Sequence, residues 1–279
     1  MIRSANTKKH LLTAAAAVCG AVLCRAAVEN TAMLSVSEYT ADIPGLPRLV
    51  QISDLHTRQF GKGQKRLIRK VAALRPEIIV ITGDLVSRDV TDFTETQRLL
   101  HRLTALAPVI AVPGNHEADL PPAIFERFRQ AVRRSGAVLL ENQTVTVKGI
   151  RFAGLFLPSV FFRGGGLLGF SAAADCTVET MHDLLGDCRE HTVLLAHNPL
   201  FFPAYAEWGA ALTLSGHVHG GVIRLPGIGG VLSPARRFMP RYDKGIFRRG
   251  ASEMIVSAGL GKFRLFNPPE LCVITAKPT

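Results

Sequence analysis

Five short blocks hold most of the side chains in this chain that could do metal chemistry. They are Asp54-Leu55-His56, Gly83-Asp84, Gly114-Asn115-His116, His197, and Gly216-His217-Val218-His219. They offer carboxylates, imidazoles and one amide, hard-to-borderline donors that suit Mn²⁺, Fe, Zn²⁺ or Ni²⁺ better than a soft thiolate site would. Five of the nine histidines fall inside these blocks. Singly each block is weak, because Asp-x-His and Gly-Asp are common turn sequences and a lone histidine is more often structural than a ligand. Their order and their placement at the ends of apolar runs make the set selective, and together they could hold two metal ions.

The elements that must position them alternate. Leu49–Ile52, 78–81 and Val109–Val112 are β-rich runs. Between them come a helical stripe of Leu67, Ile68, Val71 and Leu74 ended by Pro76, and a second of Phe93, Leu99, Leu103 and Leu106 behind an Asp92/Glu95 capping box. A third helix, marked by Ile124, Phe125, Phe128 and Val132, closes at Gly136. Such a βαβαβα pattern implies a parallel sheet with right-handed crossovers. The second half has strands at Val145 and Val147, 150–156, Val193–Ala196, 212–214, 254–256 and 271–275, with fewer long helices. It reads as a second, mixed sheet packed on the first.

In an open α/β sheet, ligands gather beyond the carboxyl ends of the strands. Asp54, Asp84, Asn115, His197 and His217 each follow one predicted strand, so all are delivered to one rim. Gly83, Gly114 and Gly216 adjoin them, where tight turns need a permissive backbone. Gly164, Gly165 and Gly166, and the run 227–230, lack the strand-to-helix context of a phosphate-binding loop.

In this context the blocks, with Glu117 completing Gly114-Asn115-His116-Glu117, resemble the full signature of the calcineurin-like metallophosphoesterases, from about Leu49 to the C-terminus. The resemblance implies a four-layer α/β/β/α sandwich with two mixed sheets. It implies that Asp54, His56 and His219 hold one metal and Asn115, His197 and His217 the other, with Asp84 bridging them. It implies that His116 is a catalytic non-ligand that hydrogen-bonds the phosphoryl or leaving-group oxygen, with Asp54 as its neighbour. Two divalent ions about 3.5–4 Å apart can clamp the attacking and leaving oxygens of an in-line displacement, and a metal-bound water ionises near neutral pH. With two carboxylates against two dications, the centre stays cationic and attracts phosphate. The lead-in Ile43-Pro44-Gly45-Leu46-Pro47 and the stretch Gly220-Gly221-Val222-Ile223-Arg224 look most like the single-domain bacterial branch with an N-terminal anchor or export signal. Arg224, just past the metal histidines, is a candidate contact for substrate phosphate, against the alternative of a strand-edge surface arginine.

The N-terminus fits that branch. Arg3, Lys8, Lys9 and His10 precede an apolar stretch, 11–24, of signal-peptide length and short for a full span. Residues 1–28 therefore read as a signal peptide or membrane anchor with the catalytic part outside, 29–46 as a lead-in, and 47–279 as the phosphoesterase domain. A buried N-terminal helix is the competing reading. At 279 residues, 47% of them hydrophobic, the chain can bury a large core and is not disordered. Its 33 basic against 22 acidic residues suit nucleic acid, an anionic membrane or phosphorylated substrates. No aromatic-interleaved basic surface supports a nuclease. The concentration of Arg and Lys over 236–249 reads equally as a solvated loop or an anion-binding rim. Cys176 and Cys188 flank a predicted helix, about 18 Å apart and too far for a disulfide. They and Cys272 read as small apolar residues.

The expected activity is thus hydrolysis of phosphomono- or diesters by a metal-bound hydroxide, in a monomer associated with the membrane. A narrower reading directs the same chemistry at a lipid-linked pyrophosphate precursor of the envelope, of the UDP-diacylglucosamine type. A reading of another class is a non-catalytic metal-binding scaffold, which an intact ligand set disfavours.

Overall fold

The computed structural model describes residues 2–162, 174–225, 227–233, 238–262 and 264–278, with backbone alone for 2–9 and 11–12. The helices are α1 (Ile2–Thr31), α2 (Lys65–Ala73), α3 (Thr94–Thr104), α4 (Asn115–Ala118), α5 (Pro122–Arg134), α6 (Val178–Leu185) and α7 (Phe202–Trp208). One six-stranded sheet has the order β1 (Ser35–Ala41), β14 (Glu270–Ala276), β2 (Leu49–Ile52), β3 (Ile78–Thr82), β4 (Val109–Val112) and β5 (Val138–Leu139). From β2 to β5 its strands are parallel, while β14 runs antiparallel to β2 and parallel to β1. The other sheet has the order β12 (Gly245–Arg249), β13 (Ser252–Val256), β9 (Leu212–Ser215), β8 (Val193–Ala196), β7 (Ile150–Leu155) and β6 (Gln143–Val147). Its four inner strands are parallel and its two edges antiparallel. A small hairpin, β10 (Ile223–Leu225) and β11 (Gly229–Leu232), stands apart from both.

Three apolar clusters explain the layering. Alternate side chains of the first sheet, such as Val50, Ile52, Ile79 and Ile81, pack on Leu67 and Val71 of α2, Leu99 and Leu103 of α3, and Phe128 of α5. Their neighbours Leu49, Ile78, Val80 and Ile110 point the other way, onto Phe152, Val193, Leu195 and Leu214 of the second sheet. Beyond that sheet, Leu194, Ala196 and Met254 meet Met181 of α6 and Phe202, Tyr205 and Trp208 of α7. Strands buried on both faces favour apolar side chains throughout, which is why β3, β4 and β8 read as nearly continuous runs. In β2 the one buried polar residue, Gln51, donates to Thr82 Oγ1 and the Ser215 carbonyl. The result is the four-layer α/β/β/α sandwich with two mixed sheets that the resemblance implied.

Three local readings change. Residues 35–41, placed by the sequence in a lead-in, form β1 and pair with β14 along their whole length. An edge strand half open to solvent carries no apolar run, so Ser35-Val36-Ser37-Glu38 gives little strand signal. The Asp92/Glu95 box is also different. Asp92 Oδ1 accepts from Thr94 N at 2.9 Å, while Glu95 pairs with Arg98 instead of closing back. Finally, α1 runs on past residue 28, and its end is docked. Glu29 is fully buried, and Asn30 exchanges two hydrogen bonds with the backbone of Arg264. Among the described residues no helix is long and apolar enough to cross a membrane.

All five cysteines are free, with Cys176 and Cys272 buried. The glycines at 164–166, with Arg236 and Arg237 of the basic stretch, lie outside the described residues. The rest of that stretch is largely engaged: Lys244 pairs with Glu270, Arg248 with Glu253, and Arg241 lies over the Tyr242 ring.

Candidate metal centre

The strand ends of both sheets open onto one cleft of about 790 Å³. Asp54 and His56 follow β2, Asp84 follows β3, and Asn115 and His116 begin α4 just after β4. His197 follows β8, and His217 and His219 follow β9. All eight converge. His219 Nε2 lies 3.2 Å from Asp54 Oδ1 and 3.1 Å from His56 Nε2. On the other side, Asn115 Oδ1 is 2.8 Å from His217 Nδ1 and 3.1 Å from His197 Nε2. Asp84 sits between these groups, with Oδ2 at 3.7 Å from His56 Nε2 and 3.3 Å from His197 Nε2.

The backbone bends hard to achieve this. Asp54, His56, Asp84, His217 and His219 all have positive φ, from 48° to 69°. A non-glycine residue in that region costs roughly 1–2 kcal/mol, and such strain gathers at functional sites. Of the adjoining glycines, Gly83 has a left-handed φ of 89°, as a permissive turn requires. Gly216 does not; it is needed for space, because a Cβ there would overlap the side chains of Ser53 and Asp54.

Hydrogen bonds fix the donors. The Asp54 carboxylate accepts from Ser53 Oγ at 2.6 Å and from His217 N at 3.1 Å. His116 N donates to Asp84 Oδ1 at 2.9 Å. His197 Nδ1 donates to the Thr82 carbonyl at 2.7 Å, which turns Nε2 toward the carboxylates. Glu117, beside two site residues, is 1% exposed and accepts from Asp84 N, Val86 N and Gly114 N at 2.9, 2.9 and 2.7 Å. It ties the β3 turn to the β4 turn, and so holds Asp84 and Asn115 in register.

The electrostatics suit cations. Burial pushes His217 down to about 3 and His56 to about 4, so both rings are neutral and offer lone pairs. Burial also opposes charge on Asp54 and Asp84. His219 for Asp54 and His197 for Asp84 outweigh it and hold both carboxyls below the usual range. Burial works against a charged His197 too, yet Asp84 and then Asp54 push it up to about 10. Burial, then Asp84, raises Glu117 to about 7. Among the described residues the ion-pair partners of the two buried carboxylates are histidines alone. Buried carboxylates call for paired cations, and facing imidazole lone pairs call for something between them. The donor set Asp54, His56 and His219, and the set Asp54, Asp84 and His197, each bring one ligand atom per residue close enough to hold a metal ion. These residues therefore fit divalent metal.

His116 lies at the cleft wall, 3.9 Å from Asp84 Oδ2. Its neighbour is thus Asp84, not Asp54 as the resemblance suggested. Its Nδ1 accepts from Arg88 N, and its Nε2 stands 3.2 Å from the Arg88 guanidinium. Arg224 is not brought to this cleft. Its guanidinium bonds Asp243 at 2.6 Å and lines a separate groove on the hairpin. Arg88 and Lys262 do line the cleft, as does Phe162, whose ring is 5.4 Å from that of His217. Sequence spacing gave no sign of these three. Glu117 had one, its place inside the Gly114-Asn115-His116-Glu117 block.

A family model for calcineurin-like phosphoesterases matches residues 47–221. The chain belongs to that family. An uncharacterized metallophosphoesterase of Aquifex aeolicus is 26% identical to it over 260 residues, covering 89% of this chain and 94% of the relative. The phosphodiesterase YaeI of Escherichia coli is 25% identical over 235 residues, 81% of each chain. The UDP-2,3-diacylglucosamine pyrophosphatase LpxG of Chlamydia muridarum is 25% identical over 296 residues, 84% of each. Family membership makes this calcineurin-like phosphoesterase a phosphoester hydrolase, and its Asp and His clusters are consistent with divalent metal.

Proposed function

We propose that the protein hydrolyses phosphomono- or diesters at a centre of two divalent ions. Asp54, His56 and His219 would hold one ion, Asn115, His197 and His217 the other, and Asp84 would bridge them. One observation carries this reading: Asp84 Oδ2 lies within 3.7 Å of both His56 and His197, which belong to different donor groups. Bound there, such ions would supply Lewis-acid contacts to the phosphoryl oxygens and an activated water.

The chain's own residues do the rest. Asp84 and Asp54 set the charge, and Glu117 keeps the Asp84 and Asn115 turns fixed. His116 at the cleft wall hydrogen-bonds the phosphoryl or leaving-group oxygen as a neutral ring, and Arg88 beside it provides a cationic edge. Lys262, exposed at the mouth, meets a second anionic group of a larger substrate. Hydrolysis of a chromogenic phosphodiester with Mn²⁺ or Zn²⁺, compared with Asp84→Asn and His116→Ala, tests the reading. A folded, metal-loaded protein inert on mono-, di- and pyrophosphate esters would overturn it.

One relative supports a narrower substrate class. LpxG is by name a pyrophosphatase of a lipid-bearing nucleotide, and the likeness to it covers 84% of this chain. That supports a reading in which a lipid-linked pyrophosphate is cleaved, with α1 as anchor or export signal and the cleft on the extracytoplasmic side. A preference for UDP-2,3-diacylglucosamine over the chromogenic diester is the expected result; equal rates would count against it.

A further inference from the structure

The β10–β11 hairpin and its flanks expose apolar side chains that nothing in the described fold covers. Ile228 is 59% exposed, Phe238 61% and Met239 52%, and Leu225 and Phe266 are more than a third exposed. They are one surface. Leu225, Ile228 and Phe266 line the same groove, Phe238 bridges to Leu232 of β11, and Met239 N donates to Val231 O. Apolar patches of this kind on a soluble protein mark an interaction site.

Charge identifies the partner. From residue 223 to 266 the sequence carries nine of the chain's 33 basic residues and only two of its 22 acidic ones. Both acids are neutralised within the fold, Asp243 by Arg224 and Glu253 by Arg248 and Lys277. Lys244 pairs with Glu270 and Arg264 is buried, which leaves Arg241, Arg249 and Lys262 exposed among the described residues. An apolar tip with a cationic surplus near it suits the surface of an anionic phospholipid bilayer, where each basic residue near the surface adds about 1 kcal/mol of attraction.

The position of α1 points the same way. Leu265 N donates to Val222 O, and Leu265 bridges to Ile223 of β10, so the loop that carries Phe266 is stitched to the hairpin. That loop also receives the end of α1. Asn267 N donates to Glu29 Oε2, and Asn30 bonds the Arg264 backbone. The uncharged stretch of α1 over residues 14–24, with Val18 and Leu23 well exposed, thus leaves the body beside the hairpin. Two weak membrane contacts on one face bind far better than either alone.

We propose that the tip formed by Leu225, Ile228, Phe238, Met239 and Phe266 docks into an anionic lipid surface beside α1. Lys262, in the same loop region, lines the metal cleft, so docking sets the cleft mouth close to the headgroups. The inference is independent of the hydrolase reading, since vesicle binding needs no turnover.

The only native tryptophan, Trp208, is 3% exposed, so it adds a constant emission that the unsubstituted protein measures and that lipid does not reach. Full-length protein carrying Phe238→Trp should show a blue-shifted emission with phosphatidylglycerol vesicles and quenching by brominated lipid. Val138→Trp, on β5 at the opposite edge of the first sheet, should show neither. The paired change Ile228→Asp and Phe238→Asp should lower vesicle partitioning by about tenfold or more, with hydrolysis of a soluble phosphodiester unchanged. Vesicle-bound protein whose introduced tryptophan at 238 emits as in buffer would overturn the proposal. So would equal quenching from Val138→Trp, or a blue shift that tracks protein concentration without lipid, which would mark a contact between two copies of the chain.

Discussion

The two sheets contribute different chemistry to the same cleft. The strand ends of the first bring both carboxylates, the amide of Asn115, and His56. Those of the second bring imidazoles alone, His197, His217 and His219. The first sheet therefore sets the charge of the centre, and the second supplies polarisable lone pairs on a rigid arc. The first is also more heavily braced, since Glu117 accepts three backbone N–H groups from its turns. On the second, Asp54 reaches across to take the backbone N–H of His217. Orientation thus flows from the first sheet to the second, and substitutions on the first should cost more.

The largest effect is expected from Asp84→Asn, which removes the carboxylate lying between both donor groups. Activity should fall ~10³-fold or more, since metal-ion catalysis contributes several kcal/mol, and bound metal measured by mass spectrometry should drop. His217→Ala, on the second sheet, should lower activity ~10²-fold and leave metal at the Asp54–His56–His219 side. If His217→Ala proves as damaging as Asp84→Asn, the division of labour between the sheets is wrong.

Metal uptake gives a second comparison, through protons. Without metal, His197 is held up at about 10, so near neutral pH its Nε2 carries a proton. That proton must leave before Nε2 can donate a lone pair, whereas His56 and His217 are already neutral. Affinity should therefore rise with pH by about one decade per unit below pH 10, and fall on acidification. Titration calorimetry in buffers of different ionisation enthalpy should count close to one proton released from this ring. A count of zero would mean that His197 is already neutral before the metal arrives. Smaller again is Glu117→Gln. It keeps the shape but replaces one acceptor oxygen with a donor, so activity should fall ~10-fold, in the range of outer partners of metal ligands.

Much of this was legible in the sequence because the centre is assembled from strand ends. Largely apolar runs mark strands buried on both faces, and the residues one to three places beyond each run are forced to the rim. Hence Asp54, Asp84, Asn115, His197 and His217 could be placed together without a structure. What stayed hidden lacked either signal. β1 is a half-exposed edge strand with no apolar run. Arg88 and Lys262 reach the cleft from loops, whose path no periodicity encodes. That Gly83 needs both its φ and its missing Cβ, while Gly216 needs only the missing Cβ, is likewise a matter of three-dimensional approach.

Arg224 shows the limit most clearly, and its substitution should have the smallest effect. Five residues beyond His219, it looked like an extension of the metal block. In the fold, β10 carries it out onto the hairpin, where its guanidinium meets Asp243 and the Gly220 carbonyl. Its distance from the chemistry predicts that Arg224→Ala changes kcat/KM for a soluble phosphodiester by less than about twofold. Because the pair is only partly buried, stability should fall by no more than ~1 kcal/mol. The change would instead release Asp243, whose Oδ2 also accepts from Gly230 N, and loosen the hairpin. A loss of activity on soluble ester as large as that of Glu117→Gln would return Arg224 to the substrate, and would mean that the hairpin closes over the cleft during turnover.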